Sequence, residues 1–527
     1  MAAFALTAVM GMSGLAVEVS NGYSIKVRNQ RVADMAALGA AQAYQTNQSV
    51  AAAIQVANDI VVASGLPLTA VQASSGTVNG VSAIQVTVTN EVPIALAKAV
   101  MNSASYNVSS YAAASLTSSS APGCITALSG SVTYGVSLTG GTQITANGCA
   151  VLTNSGISAT IGTKISAKQV VAGKTINDVA ALGGGTPGIT TTPTANNIKA
   201  NKSGAASDTV GTDPRVVAGF AKVGNFTTPT APAAGAQAWS FDYHPTGQLA
   251  GWWNSNTSTY TVPAGTYDVT SISTGGGLKI VVQDGAVIRV SGNVVLSSPM
   301  TMGAVTLDIG GQLNVGSGLT MTVASGNVAI GSNASGNAIT IGGGSVLSFG
   351  DGLFSANGSI VTGGNSHITF GATANHYING ALSLNGYAVF GAGAYYINGA
   401  FTNSTGGTIS GSGVTFFMSG TLGLGGGAIT NLAAPTSDAG GGVTDLLFAT
   451  KSTTQTSLSQ GATGSYGGMV YAPNSNMVMS GGASAGNTGR CFSLVVNTLT
   501  LSGGTTAGTA CTSLGSSGAS NGVSLLQ

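Results

Sequence analysis

The chain has 527 residues, of which only 6% are charged, and its net charge is +1. Ordinary soluble proteins carry about 25% charged residues, and this composition excludes a basic surface for nucleic acid or for an anionic membrane. The length exceeds that of a typical single domain, so we expect two or more units. Glycine is abundant, with 81 residues, but Val, Ile and Leu recur throughout, which favours packed short strands over disorder.

The first segment, residues 1–47, is predicted to be an anchor that continues into an amphipathic helix. Residues 1–17 carry no charge, and a helix of that length reaches about 26 Å, slightly short of a hydrocarbon core of about 30 Å. Beyond Glu18, apolar residues such as Val32, Met35 and Ala36 recur at helical spacing.

Two features of the sequence predict opposite membrane orientations for this segment. A cleaved signal peptide has a basic n-region, and residues 1–17 have none. Lys26, Arg28 and Arg31 follow the apolar run, and the positive-inside rule would place them in the cytoplasm. The disulfides predicted below need an oxidising compartment instead. A basic leader ahead of Met1 would reconcile the two expectations.

The stretch GLAVEVSNGYSIKVRNQRVADMAALGAA, residues 14–41, resembles the N-terminal signature of TadE/TadG-like proteins of Flp (Tad) pilus assembly. That family has an apolar helix ending in GLAVD, followed by an aromatic residue, basic residues, a glutamine and an alanine-aspartate pair. The corresponding residues here are Gly14, Glu18, Tyr23, Gln30 and Asp34. The resemblance implies an assembly helix whose partners are pilin-like subunits and the inner membrane. A generic single-pass anchor is the simpler alternative.

Residues 48–182 are predicted to form a small α/β unit followed by a small β region. Apolar and polar residues alternate from Val81 to Thr89, as in a half-buried strand, and the pattern becomes helical after Pro93. The stretch YNVSSYAAASL, residues 106–116, reads as another strand. The β region contains short strands that end in Gly-Gly or Asn-Gly.

The four cysteines allow three disulfide connectivities, of which the sequence-local one, Cys124–Cys149 with Cys491–Cys511, is the simplest. Free buried thiols are the alternative. The spacing does not suit zinc, which favours CxxC-type clusters. Disulfides imply an oxidising, extracytoplasmic compartment.

Residues 183–238 are rich in proline and are predicted to be a flexible or extended linker. From residue 239 to 527 the sequence is repetitive. Phe349, Phe370 and Phe390 are spaced by 21 and 20 residues. Three asparagines keep nearly the same step: Asn357, Asn379 and Asn398. This period predicts a glycine-rich, right-handed β-helix (β-solenoid); a flat antiparallel sandwich would not need a fixed step.

Residues 391–500 also resemble the C-terminal glycine-rich β region of longer TadG-like proteins. The matching elements include GVTF, APTS and a G-x-(V/I)-Y-x-P strand, in that order. A DxSxS metal-adhesion motif is missing from the sequence, so metal-dependent adhesion is not carried over from family members that have a von Willebrand-type domain.

Four aromatic residues lie where the linker meets the solenoid: Trp239, Trp252, Trp253 and Tyr260. They are candidates for a glycan-stacking platform. The alternative is a cap over the first coil, because the terminal coils of a solenoid must be covered.

No catalytic, cofactor or metal residues are predicted. His367 and His376 are expected to be solvated surface residues, and Asp284 and Arg289 to form a surface ion pair. Two aspartates, Asp438 and Asp445, flank a glycine run, which offers too few oxygen ligands for calcium.

The sequence therefore predicts a mainly β protein with a pilin-like N-terminal helix. By resemblance it is a structural or adhesive component of a Flp (Tad) pilus system in a Gram-negative bacterium. Its expected location is the inner membrane with a periplasmic domain, or the cell surface and pilus. The partners implied are pilin-like subunits and surface glycans, not nucleic acid. The alternative is a membrane-tethered β-helix enzyme acting on polysaccharide, which would need paired carboxylates.

Overall fold

The computed structural model describes residues 2–47, 49–78, 81–94, 104–116, 121–179, 188–191, 198–202, 204–234, 236–404, 406–427, 429–459, 463–481, 491–503, 514 and 526. It is 50% strand and 15% helix, so the mainly β prediction is confirmed. The chain divides into two compact units, Met1–Ser120 with Ser520–Gln527, and Ala121–Ala519.

Two helices begin the first unit, α1 (Ala2–Asn47) and α2 (Val50–Ala63), so the predicted N-terminal helix is confirmed. Ser49 caps α2, because its side chain accepts a hydrogen bond from the backbone N–H of Ala52 at 3.3 Å. Gly65, with φ of +78°, ends the helix in the left-handed conformation that glycine tolerates. Among the described helices, none has a stretch long and apolar enough to cross a membrane.

A three-stranded antiparallel sheet completes the first unit, in the order β1 (Val71–Val78), β2 (Val81–Pro93) and β3 (Ser105–Ser115). The strands predicted in this region are confirmed as β2 and β3; the helix predicted after Pro93 falls on residues 95–103, outside the described residues. The core is formed largely by small side chains of both helices against the sheet, which lets the backbones approach closely. Its members include Val32, Ala33, Ala36, Ala40, Ala53, Ala57, Ile84 and Val86.

The second unit is a β-solenoid of about 16 turns. Parallel strands form three ladders. The first ladder runs through β14 (Thr259–Val262), β16 (Lys279–Val282), β19 (Met300–Ala304), β22 (Thr320–Ser325), β25 (Val346–Asp351), β28 (His367–Phe370), β31 (Tyr387–Phe390), β34 (Thr408–Ser412), β37 (Ile429–Ala433) and the start of β40 (Thr463–Met479). The short β13 (Trp253–Asn254) pairs antiparallel with β14.

The second ladder runs through β15 (Gly265–Thr274), β17 (Ala286–Val290), β20 (Thr306–Ile309), β23 (Val328–Ile330), β26 (Phe354–Ala356), β29 (Asn375–Ile378), β32 (Gly393–Ile397), β35 (Val414–Met418), β38 (Leu446–Thr450), β40, β41 (Phe492–Ser502), β4 (Gly123–Ala127), β6 (Gln143–Thr153), β8 (Lys164–Ala172) and β11 (Ile198–Lys199). β10 (Ile189–Thr191) pairs with the first half of β8.

The third ladder begins with β12 (Gln237–Phe241), which pairs mainly with the end of β15. It continues through β18 (Val294–Leu296), β21 (Leu313–Val315), β24 (Asn337–Ile341), β27 (Ser359–Thr362), β30 (Leu382–Leu384), β33 (Phe401–Asn403), β36 (Leu422–Leu424), β39 (Thr456–Leu458), the ends of β40 and β41, β5 (Tyr134–Thr139), β7 (Gly156–Ala159) and β9 (Ile176–Asp178).

Identical positions of successive coils stack inside the solenoid, as the predicted period requires. The rings of Phe349 and Phe370 lie 6.4 Å apart, and those of Phe370 and Phe390 lie 5.5 Å apart. The asparagines form a ladder of side-chain amides on the same coils. Asn379 donates to Asn357, and Asn398 donates to Asn379, each at 2.8 Å. The solenoid prediction is confirmed.

The spatial order of the coils differs from their order in the sequence. β41, near the C-terminal end of the unit, pairs with β4 and β5, and the stack then continues to β9, β10 and β11. The described residues between 121 and 199 therefore extend the solenoid, whereas the sequence grouped residues 121–182 with the preceding α/β unit. The disulfide Cys124–Cys149 joins β4 to β6 with a Cα–Cα distance of 5.6 Å, as predicted. Cys511 of the second predicted disulfide lies outside the described residues.

Residues 204–227, here called the strap, run back along the solenoid and contain the helix α3 (Pro214–Ala221). The sequence assigned them to a linker, but the strap packs against the outward side chains of the second ladder. Phe220 contacts Phe417 edge to face, with ring centroids 5.4 Å apart, and Tyr471 donates a hydrogen bond to Asp208 at 2.7 Å. This packing removes an apolar stripe from water, which an unattached linker would leave exposed.

We expect Phe416→Ala to destabilise the solenoid by about 3–5 kcal/mol, the range for a buried phenylalanine. Phe416 is fully buried and its ring contacts four others, those of Phe390, Tyr395, Phe401 and Phe448. Urea unfolding followed by circular dichroism measures the change. Phe226→Ala is the matched control, because Phe226 is 38% exposed, and its effect should stay below about 1 kcal/mol. Equal effects would contradict the stacked core.

Candidate functional site

The residues of α1 that carry the family resemblance fall into two groups. Gln30 and Asp34 belong to the part that packs on the sheet. The amide of Gln30 donates to the carboxylate of Asp34 at 2.8 Å and to the backbone carbonyl of Tyr111 at 3.0 Å. These two residues therefore help to hold the helix on β3.

The other group lies closer to the N-terminus. Gly14 and Glu18 are buried, whereas Tyr23 is 70% exposed. The Tyr106 hydroxyl donates to the backbone carbonyl of Glu18 at 3.0 Å. A Cβ at Gly22 would lie 2.3 Å from that hydroxyl oxygen, so glycine is needed here for the close approach of β3.

Asn29 is a buried residue of α1 that the sequence did not single out. Its amide donates to the carbonyl of Val108 at 2.9 Å, and its side-chain oxygen accepts from the amide of Asn90 at 2.7 Å. Asn29 is followed at helical spacing by Val32 and Ala33, so its position in the apolar stripe was a usable signal. A buried amide that is hydrogen-bonded at both its nitrogen and its oxygen fixes the position of the helix on the sheet.

One side of α1 presents apolar side chains to solvent. Leu15 is 48% exposed and Val19 is 64% exposed. They line a groove of about 640 Å³ between α1 and β3, together with Tyr23, Ile94 and Tyr106. Large apolar side chains exposed side by side on one helix are typical of a surface that binds another protein or a membrane.

The four predicted aromatic residues lie together over the first coil. Trp239 and Tyr260 are buried, and Trp252 and Trp253 are half-buried. The ring of Trp239 lies 5.2 Å from that of Trp252, edge to face, and the ring of Trp253 lies 4.7 Å from that of Tyr260. This packing is typical of a cap. The glycan-stacking role stays a prediction, with Trp252 and Trp253 as its more accessible members.

The two histidines have different environments. His367 is exposed and stacks on Tyr387 at 4.3 Å, in line with a surface position. The prediction for His376 is wrong, because this residue is 1% exposed and points into the core. Its ring stacks on Tyr395 at 3.9 Å, and Nε2 lies 2.9 Å from the carbonyl oxygen of Gly371. Burial lowers the pKa of His376 to about 4.

The predicted ion pair has a different acidic partner. Arg289 donates to Asp268 at 3.4 Å, because these two residues are directly opposite each other in the second ladder. Asp284 instead accepts a hydrogen bond from the backbone N–H of Ala304, on the next coil, at 2.7 Å. The prediction that Asp284 pairs with Arg289 is therefore wrong.

Asp438 belongs to a clamp that holds the strap. Its carboxylate accepts from the backbone N–H of Thr444 at 2.7 Å and from Arg215 at 3.2 Å. Arg215 also binds Asp213 at 2.7 Å. The Thr444 hydroxyl, which donates to Asp438 at 2.6 Å, lowers the pKa of that carboxyl, and the hydrogen bond from the Arg215 side chain lowers the pKa of Asp213. Within the described ranges, no three His, Cys, Asp or Glu side chains are grouped to hold a metal ion.

The fold defines this chain as a β-solenoid protein that carries an N-terminal unit of two helices and a three-stranded sheet. Comparisons with protein-family models, curated proteins and solved structures find no match for it.

We expect His376 to make folding stability depend on pH. Its folded-state pKa of about 4 lies below its ordinary value of 6.5, so the unfolded chain takes up the proton first as the pH falls. Stability should therefore drop by about 2 kcal/mol between about pH 7 and about pH 5, and the drop should level off below about pH 4.

Urea unfolding of wild type and His376→Phe over this pH range tests the expectation. The variant keeps an aromatic ring against Tyr395, and its free energy of unfolding should no longer show the drop of about 2 kcal/mol between about pH 7 and about pH 5. His367→Phe is the matched control and should retain it. An unchanged slope in His376→Phe would contradict the assignment.

Proposed function

We propose that this chain is a non-catalytic structural or adhesive protein of the envelope of a Gram-negative bacterium. In this proposal α1 is an assembly helix that binds pilin-like subunits, and the solenoid is displayed outside the cytoplasm, in the periplasm or on the cell surface. The resemblance of residues 14–41 and 391–500 to TadE/TadG-like proteins supports a place in a Flp (Tad) pilus system.

The proposal rests on a difference along α1, whose C-terminal part packs on the sheet while its N-terminal part exposes apolar side chains. From Asn29 onward the helix is fastened to the sheet through buried side chains. Nearer the N-terminus it exposes Leu15, Val19 and Tyr23 on one side. An apolar surface that its own unit leaves exposed is suited to a partner helix or to the inner membrane.

The outer surface of the solenoid supports a passive role. The outward side chains of the third ladder are short and uncharged from end to end: Ser273, Val295, Asn314, Thr340, Val361, Ser383, Thr402, Gly423, Ser457, Val478, Thr500, Ser137, Ser158 and Asn177. Such a surface offers hydrogen-bonding groups of similar size at a regular spacing of about 4.8 Å. It suits lateral contact or adhesion, including contact with glycans.

The disulfide and the carboxylates also bear on the proposal. Cys124–Cys149 suits an oxidising compartment. The polysaccharide-enzyme alternative needs two free carboxylates on one face. Asp284 and Asp351 each accept from a backbone N–H of the next coil, that of Ala304 and Ala372 respectively, at 2.7 Å. These carboxylates therefore take part in hydrogen bonding between coils.

The proposal includes a right-handed solenoid, because crossover connections between parallel strands are right-handed in about 98% of cases.

Immunogold electron microscopy of intact native cells, with antibody against residues 261–527, tests the location. We expect label on filaments or on the cell surface, and we expect its loss in cells without the pilus secretion ATPase. Label that requires permeabilised outer membranes and does not depend on the ATPase would contradict the pilus role, and a periplasmic enzyme would then have to be considered.

The same cells can test the assembly helix. We expect Val19→Glu to abolish most of the surface label, because a charge would interrupt the exposed apolar side of α1. Val389→Glu is the matched control, because Val389 is an exposed valine of the solenoid, 48% accessible against 64% for Val19. Total protein from both variants should be equal on immunoblots. Normal display of Val19→Glu would contradict the role of α1.

A further inference from the structure

The few charges of the solenoid are distributed unequally between its two ends. The last coils of the stack are formed by the described residues between 160 and 202, and this part of the sequence contains five lysines and one aspartate, a formal charge of +4. Residues 237–310, which form the first coils, contain four aspartates, one lysine and one arginine, a formal charge of −2. In a chain with 6% charged residues, this separation gives the two ends opposite potentials.

The lysine-bearing end has open strand edges. β9 pairs only with β7, and β10 and β11 pair only with β8, in the part of the chain that the structure describes. Lys202 is exposed and Lys199 is half-exposed beside these edges. Unpaired backbone groups at a sheet edge are a template for pairing with another chain.

The aspartate-bearing end is the aromatic cap. Among the described strands, β12 pairs only with β15, so its other edge is open too. Asp242 follows β12 directly and is half-exposed, and Asp284 on the next coil is exposed. Both carboxylates accept backbone hydrogen bonds, but these bonds leave their negative charge in place.

We propose that copies of this chain associate head to tail, the coil formed by β9, β10 and β11 of one copy docking on the aromatic cap of the next. β9 and most of β12 belong to the third parallel ladder, because residues 239–241 of β12 pair with the end of β15 and β9 is the last described strand of that ladder. Their contact would therefore continue that ladder in the same strand direction. Head-to-head contact would bring two lysine-bearing ends together and is disfavoured by like-charge repulsion. A head-to-tail interface that continues the ladder places each copy along the axis of the one before it, so the copies form an open row and not a closed ring.

This inference deepens the proposed structural role but rests on different residues. The proposed function depends on α1 and on surface display, whereas head-to-tail stacking depends on the two ends of the solenoid. Association of the purified protein can therefore fail while display succeeds, and the reverse.

Sedimentation velocity of the purified full chain over a range of concentrations tests the stacking. We expect association at low salt that weakens at least tenfold at about 0.5 M salt, where exposed charges are screened. The double variant Lys199→Glu with Lys202→Glu, and separately Asp242→Lys, should each associate at least tenfold more weakly than wild type. Mixing the two variants should restore association, because the Lys end of one then meets the intact Asp end of the other.

The control for net charge is the double variant Thr369→Glu with Ser410→Glu, compared with the single variant Lys202→Glu. Both change the net charge by the same amount, but Thr369 and Ser410 lie on coils between the ends. The control should associate like wild type, and circular dichroism melting should show all variants folded. A monomer at every concentration, or association that charge reversal leaves unchanged, would overturn the proposal. If Val19→Glu alone lost association, the contact between copies would be formed by α1 and not by the ends of the solenoid, which would also overturn the proposal.

Discussion

Hydrogen bonding between successive coils is the constraint on which the solenoid depends. Between the end coils, strands pair in parallel with the strand one turn below and the strand one turn above, so successive coils place the same positions inward. Inward side chains then stack on their equivalents, as Phe349, Phe370 and Phe390 do, and polar residues at the turns form ladders of their own. Because the bonding is local from coil to coil, the fold needs few charged residues and tolerates turns of different length.

The same constraint explains the features at the boundaries of the stack. Side chains that point outward from a ladder can be polar or apolar, because they do not stack in the core. Where they are apolar, as at Tyr396, Phe417 and Tyr471, the strap covers them. At the first coil the tryptophans cover the apolar interior, whereas one edge of β12 stays open among the described strands. The clamp of Arg215 with Asp213 and Asp438 is partly exposed, so its electrostatic contribution to stability is less than about 1 kcal/mol. The strap is held mainly by its apolar contacts.

Periodic features were predictable from the sequence, and features set by distant contacts were not. The regular spacing of the phenylalanines predicted the solenoid, and apolar residues at helical spacing predicted α1, because both patterns repeat over short stretches of sequence. His376 was misassigned because a strand of four residues gives too little alternation to tell inward from outward. The partner of Arg289 is Asp268, one coil away, and sequence separation does not reveal which residues face each other. The placement of β4 beside β41 has no local signal at all.

That placement has a consequence for biosynthesis. Residues 121–199 leave the ribosome before any of the other coils, but their neighbour in the stack, β41, is synthesised more than 290 residues later. Until β41 has been synthesised, β4 and β5 pair along one edge only, with β6 and β7, and their other edge stays open. Completion of the stack is thus tied to completion of the polypeptide, and a nascent chain that stops short of β41 lacks the surface on which its own earliest coils dock.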